Sequence, residues 1–328
     1  MEKKKKIIVS VVLFVLVFAG LLVTATFTDL QVSKILTSRA LVEHNYITND
    51  FFGATLEAVG TTPIYILLAF VFEILFWHAL YNRKGAGRIV LAAFAQVAAA
   101  VSAYVMFDDT LGYIKKHLIL MDNPQGLRTG MYLKLICLFF AVITAFAAAF
   151  AVKNFSEESI NKLFGFSIAT IIVAALPTIL INLVIKDYVG RIRFRAMNMY
   201  PDNEQYGFAA FARWYEVNGQ WMDKAKLTEL FSSTDALKSF PSGHTASAGM
   251  AYCLTMLNDA LGIKNKKVRA LFWILPVVVT GLVAVSRIVV GAHFFSDVLV
   301  GGTFSFVTMI IAREIFVCKG SNIKALKG

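Results

Sequence analysis

The sequence predicts an all-α integral membrane protein of about eight transmembrane helices, and three observations carry that expectation. Hydrophobic residues make up 58% of the 328 positions and charged residues 16%, a balance too apolar for a soluble domain. Eight apolar stretches, near 7–27, 62–81, 89–107, 131–152, 164–186, 243–261, 270–290 and 296–317, reach or approach the roughly 20 helical residues that cross a hydrocarbon core about 30 Å thick. Lipid offers no partner to an unpaired backbone group, so such spans are helices. Third, positive charge alternates along the chain. The formal net charge is +11, and seventeen of the 32 Lys and Arg fall in the termini and alternate loops, from Lys3–Lys6 through Arg83, Arg88, Lys153 and Lys162 to Lys264–Arg269 and Lys319–Lys327. This is the positive-inside pattern, so both termini are expected in the cytoplasm of a multi-pass cell-membrane protein. It also accounts for the charge without a nucleic-acid partner.

The elements follow in order. Ile7 to Phe27 has the basic flank of a secretion signal, but it exceeds the ~7–15 apolar residues of a signal core and reads as an uncleaved first span. Residues 28–61 are expected as an outer polar loop holding a short amphipathic helix. The second span carries Glu73 and His78, five apart and so on different faces. Contacts between helices are their expected role, with a proton relay as the alternative. His44 and His117 have no partner in sight and read as solvated. The link Asn82–Arg88 is inside, Asp108–Gly130 outside with Asp122-Asn123-Pro124 as a turn signal, and Lys153–Lys162 inside. Pro177 should kink the fifth span. The longest interruption, outer loop 187–240, mixes Phe208, Phe211, Trp214, Tyr215 and Trp221 with charges. It is either a lid lying on the membrane or a small folded loop with its own core. Cys137, Cys253 and Cys318 lie in or beside spans and read as small buried hydrophobes, neither disulfide nor metal ligands.

Three polar clusters interrupt this pattern. Ser286 to Asp297 places Arg287, His293 and Asp297 between two apolar segments. Each charge would cost roughly 2.5–3.5 kcal/mol at a bilayer centre, so the cluster belongs at helix ends facing a polar pocket. His293 and Asp297 are four apart; on one helical face, the carboxylate can hold one imidazole nitrogen and leave the other free. A second cluster, Lys186 to Arg195, closes the fifth span. A third, Ser239-Phe-Pro241-Ser242-Gly243-His244-Thr245, opens the sixth. Spans alternate direction, so the end of an odd one and the start of an even one lie on one face, and all three clusters meet there.

Their residue types suit an oxyanion with several charges. Lys186, Arg193 and Arg287, with Arg191 as a further candidate, could surround it, guanidinium forks matching phosphate oxygens in pairs. Pro241, Ser242 and Gly243 just before a helix offer free N–H groups at a positive dipole end, and Gly243 permits close approach. His244 and His293 remain, one for attack and one for proton donation. A metal is not expected, because Asp297 is the one further ligand of suitable type and the positive surroundings would repel a cation. Any one basic residue here could simply anchor a helix end; three converging clusters argue for a site.

These clusters resemble the signature of the type 2 phosphatidic acid phosphatase superfamily, membrane lipid phosphatases related to vanadium haloperoxidases. Its pattern is Lys, six residues, Arg-Pro; then Pro-Ser-Gly-His; then Ser-Arg, five residues, His, three residues, Asp. Lys186 and Arg193 match the first with Phe194 in place of proline, Pro241–His244 match the second, and Ser286, Arg287, His293 and Asp297 match the third. The resemblance implies a six-helix core over residues 88–318, preceded by two added helices with an outer loop in 1–87 and followed by a cytoplasmic tail, 319–328. It implies that His293 attacks phosphorus with Asp297 orienting the ring, and that His244 protonates the leaving oxygen and then activates water. Lys186, Arg193, Ser242, Gly243 and Arg287 would hold the phosphoryl oxygens, with Arg191 and Ser286 as further candidates. No cofactor is implied. The substrate would be a membrane lipid phosphate or diphosphate, such as polyprenyl diphosphate, phosphatidic acid or phosphatidylglycerol phosphate. Phosphoryl transfer to another lipid or glycan, and non-catalytic transport of an anionic lipid, are the alternatives. Two histidines, one backed by a carboxylate, favour chemistry over transport, which paired interrupted spans would have suggested.

Overall fold

A computed structural model describes residues 2–37, 50–120, 130–217, 224–231 and 234–327. Among them the chain forms helices and turns but no strand. His44, the Asp122–Pro124 signal and Trp221 lie outside the described residues, as does the side chain of His117.

Helix α1, Glu2–Thr37, runs ten residues beyond the expected end of the first span. Its first two-thirds faces lipid with exposed Val and Leu. Its last third docks through Ala25, Asp29, Ser33 and Thr37, all buried, a one-in-four spacing that keeps them on one helical face. Thus Asp29, which the sequence suggested was loop, enters the protein interior. Helix α2, Phe51–Val59, is capped by Asp50, whose carboxylate accepts the Gly53 N–H, and it leads directly into α3, Thr62–Asn82. Helices α4, Gly85–Leu120, and α5, Gly130–Lys153, complete the N-terminal half. Ala92, Ala95, Ala99 and Ala103 on α4 and Cys137, Ala141, Ala145 and Ala149 on α5 are buried, the small-residue faces that let membrane helices approach closely. Glu73 on α3 accepts from Gln96 on α4 at 3.1 Å, and His78 stacks on Phe164 at 4.3 Å, so both are contacts between helices.

Helix α6, Glu157–Ile179, contains Pro177 and widens into a π-helical turn over Leu180–Ile185. The missing proline amide and the wide turn deliver α7, Lys186–Val189, to the head of the bundle, where Gly190 at φ 59° ends it. The 187–240 segment then folds on its own core. Ile192, Phe194, Met197, Tyr206, Phe231, Ala236 and Leu237 are buried together around Phe294. This segment contains α8, Phe194–Met197, and α9, Lys224–Phe231.

The expected sixth span is helical but not one helix. It comprises α10, Gly243–Ala248, a tightened 3-10 stretch over Gly249–Cys253, and α11, Leu254–Ala260. Among the described residues seven helices, rather than eight, are long and apolar enough to cross a membrane. The cause lies between helices: Ser305 donates to the Ala246 carbonyl at 2.8 Å, and a side chain inserted into the backbone ladder rewinds a helix. Helices α12, Lys266–Val289, and α13, Phe295–Ala312, follow, then a second π turn over Arg313–Val317 and α14, Ser321–Lys327. The main core joins α3, α6, the 250–256 stretch and α13. Cys137 and Cys253 are buried as expected, whereas Cys318 is partly exposed; all three thiols are free.

Helix α13 lies so close to the α10 turn that a Cβ on Gly301 would sit 2.4 Å from the Ser242 carbonyl oxygen. Gly301→Ala should therefore force the two apart at a cost of about 1–3 kcal/mol. Thermal unfolding in detergent reads this as a lowered Tm; an unchanged Tm would mean the contact is slack.

Candidate active site

The three clusters meet at the head of the bundle. Lys186 and the turn before α10 are in contact, since a Cβ on Gly243 would lie 3.1 Å from Lys186 Nζ and 3.0 Å from Asn182 Oδ1. Lys186, Arg193, Gly243 and His244 line one cavity of about 580 Å³. His293 is buried in the link between α12 and α13, where burial, then the charges of Arg193, Lys186 and Arg287, hold its pKa well below 6.5. The ring is therefore neutral at pH 7.

Its tautomer follows from its partner. Nδ1 lies within hydrogen-bond reach of the Ser239 carbonyl. A carbonyl can only accept, so Nδ1 carries the proton and Nε2 keeps the lone pair. Asp297 was expected to hold this nitrogen, but its Oδ2 is 3.7 Å away. The carboxylate instead accepts from the Ser239 hydroxyl and from the Phe294 N–H, the latter at 2.8 Å. It thus fixes both the Ser239 segment and the start of α13, and orients His293 through Ser239.

The arginines divide into three roles. Arg191, a candidate phosphate ligand on sequence grounds, is wholly buried and fully engaged. It donates to Asp297 at 2.6 Å, to Asp29 at 2.9 Å, to the Ser296 hydroxyl at 2.8 Å and to the Ala212 carbonyl at 2.8 Å, with Phe294 4.2 Å from its guanidinium. It is a brace. Arg193 pairs with Asp235 at 2.8 Å while still lining the cavity. Arg195 reaches Asp235 at 3.2 Å and stands 4.0 Å from Glu57. Phe194, where the resemblance has proline, is the first residue of α8. Proline is tolerated there because the N–H is unused; the phenylalanine ring fills the loop core instead, against Phe208 and Phe294.

Two expected phosphate ligands have partners within the protein. The Ser242 N–H donates to the Asp297 carbonyl, and its hydroxyl caps α10 by accepting the Thr245 N–H. The Ser286 hydroxyl donates to the Val283 carbonyl one turn back. The Ser286 hydroxyl thus spends its donor within its own helix, whereas the Ser242 hydroxyl only accepts, from the Thr245 N–H and hydroxyl, and its own proton has no partner among the described residues. By contrast, Arg287 uses only Nη2, on Glu57 at 3.2 Å, while its Nε and Nη1 are buried with no partner among the described residues. His244 Nε2 is likewise buried and unpartnered, its ring edge-on to Tyr113 at 5.2 Å.

Sequence reasoning missed Asp29, Glu57, Ser239, Asp235 and Asn182. Asp29 and Glu57 were hidden because residues 28–61 were read as outer loop; an acid in register with the Ala25–Thr37 face was the available signal. Asp29 also accepts the Ser296 N–H at 2.8 Å, capping α13 from a different helix. Removing one member of a buried pair leaves an uncompensated charge, so Asp29→Ala should cost about 3–5 kcal/mol. Denaturation in detergent with an activity assay tests this, and wild-type stability would show that Asp297 alone balances Arg191.

A sequence model of the PAP2 superfamily matches residues 162–319. Comparison with curated proteins and with solved structures finds no match. The matched segment starts in α6 and ends beyond α13, so it carries all three clusters. Superfamily members are generally phosphatases, which supports a phosphoric ester hydrolase in a multi-pass membrane setting. Residues 162–319 of this chain, with the lysine, arginines and paired histidines gathered at one end of a helical bundle, match the PAP2 superfamily.

Proposed function

We propose that this protein is a membrane phosphatase that hydrolyses a lipid phosphate or diphosphate at the extracytoplasmic face through a phosphohistidine intermediate. The observation that carries the reading is the pattern of unfilled valence. Buried polar groups are normally satisfied, and Arg287 Nε and Nη1 and His244 Nε2 have no partner among the described residues, although every nitrogen of Arg191 has one. Lys186 and Arg193 line the same cavity as His244, and Arg287 and Lys186 are among the charges that act on the His244 ring. Two guanidinium donors, an ammonium and an imidazole are what a phosphoryl group and its leaving oxygen need.

A lipid substrate is supported by the rest of the cavity. Beyond its cationic end it is walled by Ile64, Leu68 and Phe72 of α3 and by Ile171, Ala174 and Ile179 of α6. An apolar chain lies there while the head reaches the site.

Each step uses residues in place. His293 Nε2 attacks phosphorus and forms the N–P bond as the P–O bond to the lipid alcohol breaks. A phosphate dianion beside His244 favours its imidazolium form, and that proton goes to the leaving oxygen. Neutral His244 then takes a proton from water, which attacks phosphorus and releases phosphate and neutral His293. The Ser239 carbonyl stabilises the N–H that gains positive character as His293 bonds phosphorus. Phosphate monoester hydrolysis is among the slowest uncatalysed reactions, with enhancements up to about 10²¹-fold, so a dense positive shell is required.

Three outcomes test the reading. Phosphate release from lipid phosphates by purified protein in detergent should fall to the blank with His293→Ala, and retained turnover removes His293 as nucleophile. Arg287→Ala should lower kcat about 10²–10³-fold, the effect of one preorganised oxyanion donor; a loss under tenfold would take it out of the phosphate shell. A nucleophile must be neutral, and the His293 pKa lies well below 6.5, so protonation of His293 erodes kcat/KM only below that pH. An acid limb of wild-type kcat/KM centred above pH 6.5 would contradict it.

A further inference from the structure

The same cavity has a second polar wall, made by α3 and α4, both outside residues 162–319. Thr61, Tyr65, Asp109 and Tyr113 line the cavity together with Lys186 and His244. Asp109 Oδ2 accepts from the Thr61 hydroxyl at 2.7 Å, a hydrogen bond that favours the carboxylate form. Among the described residues no Lys or Arg forms an ion pair with it, whereas Asp235, also in the cavity, is bound to Arg193 and Arg195.

Its place relative to the chemistry follows from α4. Tyr113 is one helical turn from Asp109, about 5–6 Å between Cβ atoms, and the Tyr113 ring meets the His244 ring at 5.2 Å. His244 must touch the leaving oxygen, so the atoms attached next to that oxygen meet Tyr113 and then Asp109. An ionised carboxylate only accepts. A hydroxyl or ammonium there completes a charge-assisted hydrogen bond, and a second phosphate there meets like charge.

We propose that Asp109, held by Thr61, is an acceptor subsite for the leaving group. It selects lipid monophosphates whose alcohol carries a hydroxyl or ammonium near the ester and disfavours lipid diphosphates. This rests on the phosphatase reading and narrows it.

The test compares kcat/KM for chain-matched substrates in detergent, using full-length wild type, Asp109→Asn and Asp109→Ala. The substrates are an alkyl monophosphate with no donor, a lysophosphatidic acid with a hydroxyl, a sphingoid base 1-phosphate with hydroxyl and ammonium, and a polyprenyl diphosphate. Wild type should prefer the donor-bearing monophosphates to the alkyl phosphate by about tenfold or more, the usual size of a hydrogen bond to a charged group. Asp109→Asn, which keeps an oxygen but loses the charge, should erase the extra preference for ammonium and raise diphosphate relative to monophosphate. Asp109→Ala should also erase the hydroxyl preference. Size-exclusion chromatography checks folding, and if Asp109→Ala aggregates, Asp109→Asn decides alone. Equal ratios in wild type, or variants that slow all substrates by one factor, overturn the subsite and leave the phosphatase reading standing. No phosphate release from any substrate overturns both.

Discussion

Charge buried beside lipid must find its counter-charge inside the protein, and Arg191 is where this constraint is met most completely. Its guanidinium lies between Asp29 of α1 and Asp297 of α13, with Ser296 and the Ala212 carbonyl taking the remaining hydrogen bonds. A pair of this kind gains little over well-packed apolar groups but is costly to break. What it does is fix relative position: the N-terminal helix, the folded segment after α7 and the start of α13 cannot shift independently without stranding a charge. His293 hangs from this assembly through Ser239, which touches both Asp297 and the imidazole.

Satisfied and unsatisfied groups sit side by side at the bundle head. Arg191 and Arg193 spend their donors on protein carboxylates, while Arg287 keeps two and His244 keeps one. A buried unsatisfied group costs on the order of 1–3 kcal/mol, and the ion network around it supplies rigidity that stops the side chains from collapsing onto one another. Glu57 contributes by holding Arg287 at a single nitrogen, which points the rest of the fork without neutralising it.

The N-terminal portion, outside the matched residues, is thus part of the site. It supplies Asp29 to the brace, Glu57 to the Arg287 fork, and Asp109 with its Thr61 hydroxyl partner to the lining of the cavity. All three are acids that share a helix contact or the cavity with basic residues of residues 162–319. Electrostatic complementarity of this kind sets orientation more than it adds stability.

Composition and residue spacing determined much about this protein: a helical membrane bundle, seven of the eight expected long apolar helices among the described residues, and three clusters that meet at one end of it. Those conclusions need only the cost of unpaired backbone in lipid and the spacing of residues along the chain. The tertiary structure decided which of several chemically equivalent residues does what. Arg191, Arg193 and Arg287 are alike as letters, and only their carboxylate neighbours, 162, 42 and 230 positions away in sequence, separate brace from ligand. Asp297 likewise carries a motif position but holds His293 through Ser239, since the ring link leaves it 3.7 Å distant. The break in the 243–260 rod depended on Ser305, a contact between helices that no local pattern encodes. Hydrogen bonds between distant segments are set by packing, and packing is where one-dimensional reasoning ends.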